Sequence, residues 1–155
     1  MHTLDELLAR SPIFSGLPED QLEFLAGCGS NAVFEPGEPL FRAGDTADTF
    51  HLVRRGRVSL STHVPGRGDV IVDTAEVGDL VGFAWLFEPY VWDMDAHAVD
   101  GVGVVAFDAA CMRGKFAGDD HLALALMSRF ARATIEHLQT TRLQLLDVYG
   151  HHPRV

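Results

Sequence analysis

The chain has 155 residues, with twelve Lys and Arg against twenty-two Asp and Glu for a formal net charge of −10. A length of this order fits one domain that buries roughly 70% of the surface its unfolded chain exposes, so no disulfide or metal is needed to hold a core. An acidic surface repels phosphate backbones and anionic lipid, which argues against nucleic-acid and membrane-surface binding.

Thr3-Leu4-Asp5-Glu6 reads as a capping box opening a short helix with Leu4, Leu7 and Leu8 on one face, stopped by Ser11-Pro12. A second helix follows Leu17-Pro18-Glu19-Asp20, with Pro18 suited to its first position, Leu22, Phe24 and Leu25 as its apolar set, and Gly27 and Gly29 at its end. From Val33 to Phe107 short apolar runs alternate with glycine and proline at a spacing near ten residues, the signature of an all-β barrel or sandwich. Phe50–Val53, Val58–Leu60, Val70–Val72 and Val102–Phe107 are its clearest strands, and His63–Asp69 is a hairpin connection.

No glycine or proline interrupts Asp119 to Tyr149, which predicts a long helix capped by Asp119 or Asp120 and ended by Gly150 and Pro153. Leu124, Met127, Ala131, Thr134, Leu138, Thr141, Leu145 and Val148 recur at alternating steps of 3 and 4, a heptad seam that faces a second helix. Leu122, Leu126, Phe130 and Leu143 form another set that docks the helix on its own barrel. Such a helix is longer than a small barrel can cover, so a homodimer through the 124–148 seam is expected. The expected organisation is a single domain over 1–155, with N-terminal helices within 1–29, a barrel over 33–107 and a helix over 119–149.

Cys28 and Cys111 are the only cysteines, far apart and without a CxxC pairing, a usage that fits free thiols in a reducing cytoplasm. Two thiols cannot ligate an iron–sulfur cluster. The N-terminus lacks the basic start and apolar run of a secretory leader, and no apolar stretch approaches the roughly eighteen residues of a membrane span. A cytoplasmic domain without membrane attachment is expected.

The order of two capped helices, a glycine-punctuated barrel and a seam helix resembles the cyclic-nucleotide-binding domain of the Crp/Fnr regulators. Pro12-Ile13-Phe14, Phe34-Glu35-Pro36-Gly37-Glu38, Leu52-Val53-Arg54-Arg55-Gly56-Arg57-Val58, Val77-Gly78-Asp79-Leu80-Val81-Gly82 and Glu136–Arg142 are similar to successive stretches of that family. The resemblance implies a mainly β jelly-roll (double-stranded β-helix) barrel, two short N-terminal helices and a long C-terminal dimerisation helix. It also implies a phosphate-binding cassette. In the family a glycine lets the backbone approach the cyclic phosphate, a following glutamate holds the ribose, and an arginine about ten residues on neutralises the phosphate beside a small hydroxyl residue. A buried anion needs such a cation and donors, because desolvation otherwise disfavours it.

Gly82 matches the cassette glycine, but Phe83 stands at the glutamate. Counting back from Ala98-Val99-Asp100 puts Trp92 at the arginine and Asp93 at the hydroxyl residue; a one-residue slip puts Asp93 at the arginine. Neither register supplies a cation, so cyclic AMP or cyclic GMP is disfavoured as a cofactor, and no other cofactor is indicated. Phe83, Trp85, Phe87, Tyr90 and Trp92 place five rings in ten residues. They either fill the nucleotide's volume or stack on an apolar, planar ligand with Asp93 or Asp95 as acceptor. The candidate ligand-binding set is Gly82, Phe83, Ala84, Trp85, Trp92, Asp93 and Met94, joined by Thr141, at the family's base-contacting helix position, and Arg142, able to reach across a dimer. His97 reads as a strand histidine, and Arg54, Arg55 and Arg57 as a solvated edge.

Leu145–Gly150 resembles the approach to the family's helix-turn-helix domain, but the chain ends five residues later, so no recognition helix and no direct DNA binding are expected. Ser59, Ser61, Thr62 and His63 form no nucleophilic constellation, and the histidines, including the His151-His152 pair, share no metal-ligand spacing. The expected function is a non-catalytic ligand-sensing or regulatory module with a degenerate phosphate cassette, signalling through a partner protein. A cyclic-nucleotide sensor and a ligand-free interaction subunit of a larger complex are the alternatives.

Overall fold

The computed structural model describes residues 3–150, so His151, His152 and Pro153 lie outside the described residues. The first helix, α1 (Leu4–Arg10), starts at the expected capping box, where the Thr3 N–H donates to Glu6 Oε2 at 3.3 Å. In α2 (Glu19–Ala26) Pro18 is the N-cap residue, one place before the expected first turn. Leu22 and Leu25 are buried there, whereas Phe24 is exposed and carries the Lys115 ammonium 3.4 Å from its ring centroid.

Among the described residues seven strands follow: β1 (Gly29–Phe34), β2 (Pro39–Phe41), β3 (Thr49–Arg55), β4 (Val58–Val64), β5 (Gly68–Ala75), β6 (Asp95–Ala98) and β7 (Val102–Asp108). They form two antiparallel sheets, β1-β7-β3 and β2-β6-β4-β5, which with the flanking helices make the expected jelly-roll fold. The β4–β5 hairpin closes where expected, with Val64 opposite Gly68 and the Arg67 N–H on the Val64 carbonyl at 2.9 Å. The core is a ring stack: Phe50 lies parallel to Trp85 at 3.7 Å and to Phe107 at 4.9 Å, and Phe130 meets Trp85 edge-on at 5.6 Å.

A helix not expected from the sequence, α3 (Ala109–Gly118), leaves β7 with Asp108 capping the Cys111 N–H at 2.9 Å. Gly114 and Gly118 dilute its helical signal. The long helix α4 (Asp120–Gly150) docks on the barrel through Leu122, Leu126 and Phe130. Leu143, expected with them, is instead 66% exposed, because the helix has outrun the barrel: from Leu138 to Gly150 every residue is exposed.

The expectation of free thiols is also corrected. Cys28 and Cys111 are joined by a disulfide with their Cα atoms 5.7 Å apart. Cys28 directly precedes β1 and Cys111 follows β7, and these strands pair with Gly29 opposite Phe107, so the sheet closes a separation of 83 residues. Among the described residues no helix is long and apolar enough to cross a membrane.

Candidate functional site

A pocket of about 460 Å³ opens between the β4–β5 sheet, the segment from Gly82 to Met94, and α4. The chain leading into it is held to β3 by backbone hydrogen bonds: the Gly78 N–H donates to the Val53 carbonyl, and the Val81 N–H to the His51 carbonyl, both at 2.9 Å. Gly82 then turns the chain at φ +81° into a single 3₁₀ turn, Ala84–Leu86. The returning limb is fixed by the Trp92 N–H on the Asp45 carbonyl at 2.9 Å and by Arg113 of α3, which donates to the Trp85 carbonyl at 2.7 Å and lies 4.1 Å over the Tyr90 ring.

Gly82 is needed for space as well as for its left-handed backbone. A Cβ there would stand 2.9 Å from Cζ3 of Trp92. That indole is buried and stacks on Phe41 at 3.8 Å with 8° between planes, so a ring covers the glycine.

Five of the predicted residues come together on the pocket wall: Gly82, Phe83, Ala84, Asp93 and Met94. Trp85 and Trp92 do not; they are 0% and 4% exposed and form the core behind the wall. Thr141 and Arg142 lie on the exposed half of α4 away from the pocket, and the Thr141 hydroxyl donates back to the His137 carbonyl at 2.9 Å. Thr134 and His137 border the pocket in their place. Thr134 occupies the same seam position one heptad earlier, a periodicity that fixes the helix face but not which turn meets the barrel.

The wall is acidic. Asp73, Glu88 and Asp93 border it, and among the described residues no lysine or arginine does. His137 is its one cationisable group, set at the mouth with Nδ1 3.4 Å from Asp73 and Nε2 3.8 Å from Asp79, where it ties α4 to the barrel. Asp95 is engaged elsewhere, accepting the Ala43 N–H at 2.8 Å. His97 lies in β6 away from the pocket, and Arg54, Arg55 and Arg57 are exposed at the β3–β4 turn.

Behind the site His51 is buried between Phe34 and Phe41, and burial pushes its pKa down to about 4. Its Nδ1 and the Nε1 of Trp85 are buried without a hydrogen-bond partner. A second cleft of about 700 Å³ runs along the other flank of α4, past Arg129, Arg132 and Glu136, and shares Leu80, Phe83 and His137 with the first. Among the described residues no three His, Cys, Asp or Glu side chains converge as a metal site.

The model of the cyclic nucleotide-binding domain matches residues 32–119, from β1 through α3. The chain belongs to the cyclic nucleotide-binding domain family. It is 23% identical over 145 residues to the CRP-like cAMP-activated global transcriptional regulator of Mycobacterium tuberculosis, with 94% of this chain covered and 63% of that protein's length spanned. Among solved structures it is similar to a protein of Geobacter metallireducens GS-15 described as a cyclic nucleotide-binding protein, with TM-score 0.79 and 25% identity over 89% of this chain and 99% of that one. It shares the fold of the regulatory domain of Toxoplasma gondii PKA, co-crystallised with cAMP, at TM-score 0.63 and 20% identity over 72% of this chain and 42% of that one.

Proposed function

We propose that this family member is a non-catalytic sensing module whose pocket takes a neutral or cationic, largely apolar ligand in place of a cyclic nucleotide. The observation that carries this is the Trp92 indole packed over Gly82, in a wall that among the described residues holds three carboxylates and no lysine or arginine. A cyclic phosphate brought against that wall would lose water and find like charge, a cost of several kcal/mol without a pairing cation. An apolar ligand would gain contact with Phe83 and Met94 and orient toward Asp93.

The module acts in the cytoplasm as a homodimer through the α4 seam, whose Leu124, Leu138 and Leu145 are 70%, 48% and 54% exposed. Thr134 belongs to both seam and pocket, so a ligand that prefers one packing of the two helices shifts their arrangement and is read by a partner protein. The net charge of −10 opposes direct DNA contact by these residues.

A cyclic-nucleotide sensor is the second reading, supported by family membership and by the retained Gly82. Thermal unfolding with millimolar cyclic AMP, cyclic GMP and a panel of neutral and cationic heteroaromatic compounds separates the two. A ligand present at a thousand times its Kd adds about 4 kcal/mol, or on the order of 10 °C in Tm. No shift with either nucleotide and a shift with a panel compound is expected; a shift of that size with cyclic AMP overturns the primary reading. Silence with every compound points instead to a ligand-free interaction subunit.

A further inference from the structure

The Cys28–Cys111 disulfide lies next to the elements that hold the pocket loop. Cys28 follows α2, and Cys111 sits in the first turn of α3. Two residues on, and so on nearly the opposite face of the same helix, Arg113 grips the loop through the Trp85 carbonyl and the Tyr90 ring. One face of α3 is therefore fastened by the disulfide while the other fastens the pocket's rim.

Apart from the disulfide, α3 is held at its start, where the Asp108 N–H donates to the Cys28 carbonyl at 2.9 Å and the Ala109 N–H to the Asp48 carbonyl at 2.8 Å, and near its end by the Phe116 ring, 6.4 Å from Trp85 and 6.5 Å from Phe130. Gly114 and Gly118 weaken it as a helix, and Ala109 and Met112 are its only fully buried residues. On the disulfide face Lys115 lies over the half-exposed Phe24 ring of α2. Cys111 is also the more exposed of the two cysteines, half-buried where Cys28 is buried, so an attacking thiolate approaches the bond from its side.

We propose that the Cys28–Cys111 pair is a thiol–disulfide exchange site that governs the order of the pocket loop through α3 and Arg113. The reductant is a dithiol. One of its thiolates attacks Cys111 Sγ, the bond to Cys28 breaks, and Cys28 leaves as a thiolate that takes up a proton. The second thiolate of the dithiol then displaces Cys111 from the mixed disulfide. The reductant ends as a disulfide and the chain as two thiols, with two electrons and two protons transferred. In the dithiol form α3 loses its covalent tie, and Arg113 no longer holds residues 85–90 in one place. In a cytoplasmic protein such a bond is characteristically transient and redox-sensing rather than a permanent staple.

That the loop responds is a property of the chain; that the response regulates sensing rests on the pocket function proposed above. The test therefore contains no ligand. Thiols are first titrated in the full chain purified without reductant and exposed to oxidised glutathione. Hydrogen exchange is then followed by mass spectrometry before and after addition of dithiothreitol. The expected result is no free thiol in the oxidised protein, and amide exchange in 83–92 and 109–118 that accelerates at least several-fold on reduction, within labelling times too short for global unfolding to expose β4 and β6. Arg113→Ala should give the fast loop exchange without reductant, and the Cys28→Ser, Cys111→Ser double variant should be indifferent to dithiothreitol. If the double variant fails to fold, the wild-type pair of states and Arg113→Ala still decide. Two titratable thiols after oxidation, unchanged exchange in 83–92, or an acceleration spread evenly over the barrel would each overturn the proposal.

Discussion

The two sides of α4 meet opposite surroundings. On its inner side Leu122, Leu126 and Phe130 are at most 2% exposed and close the ring stack of Trp85, Phe50 and Phe107. On its outer side Leu124, Leu138 and Leu145 keep about half or more of their surface in water. The apolar character is similar on both sides, so the difference lies in what is packed against each. The domain completes its own interior with rings, including the space over Gly82, and leaves an apolar stripe on the outside for another surface. Substitutions on the inner side should therefore cost folding free energy, and substitutions on the outer side should cost assembly.

The largest effect should follow from emptying the inner stack. Trp85 is fully buried between Phe50 and the edge of Phe130, and Trp85→Ala should destabilise the chain by about 3–5 kcal/mol. Urea unfolding should show this as a lower midpoint with little change in slope. A loss below 1 kcal/mol would mean that the stack is not the keystone of the inner side.

Reduction of the disulfide should come next. A link across 83 residues removes chain entropy from the unfolded state, and such bonds typically contribute about 2–4 kcal/mol. Tm should fall by roughly 10 °C in dithiothreitol, and the Cys28→Ser, Cys111→Ser variant should sit at the reduced value with or without it.

His51 gives the inner side a pH signature. Its folded pKa of about 4 lies below the ordinary 6.5, so between those values the unfolded chain binds the proton and the folded chain does not. Stability is insensitive to this group above pH 6.5 and declines as the pH falls from there toward 4. The slope approaches about 1.4 kcal/mol per pH unit, or about 2 kcal/mol lost by pH 5. His51→Leu removes the titration, so the loss between pH 7 and pH 5 should be smaller in the variant by about that amount.

Much of the inner side was legible in the sequence, because its signals are local. The capping box at Thr3 and Glu6, the strand runs and the uninterrupted 119–149 segment each report on neighbours a few residues away. The failures concern distance along the chain. Cys28 and Cys111 meet only because β1 pairs with β7, and no spacing rule encodes that pairing. Five rings in the cassette segment announced an aromatic site, but not that Trp85 and Trp92 would turn inward while Phe87 stays 61% exposed. On α4 the heptad identified the seam, and Thr141 and Thr134 are equivalent within it. Only the docking of Leu126 and Phe130 decides that Thr134 is the turn level with the pocket.

The smallest effect on folding should come from the outer side. Leu138 and Leu145 are 48% and 54% exposed, so replacing both with glutamate empties no cavity in the domain. Monomer stability should change by less than about 0.5 kcal/mol per site. Across a dimer the same change places carboxylates in an apolar seam, where each would lose hydration without a cation to meet it. Sedimentation should therefore report two chains for the wild type and one for the double variant, at nearly equal urea midpoints once protein concentration is low enough to separate folding from association. A wild type that sediments as one chain would remove the partner from the outer side. It would also leave Thr134 facing solvent beside the pocket, so that a bound ligand would have no second helix to move.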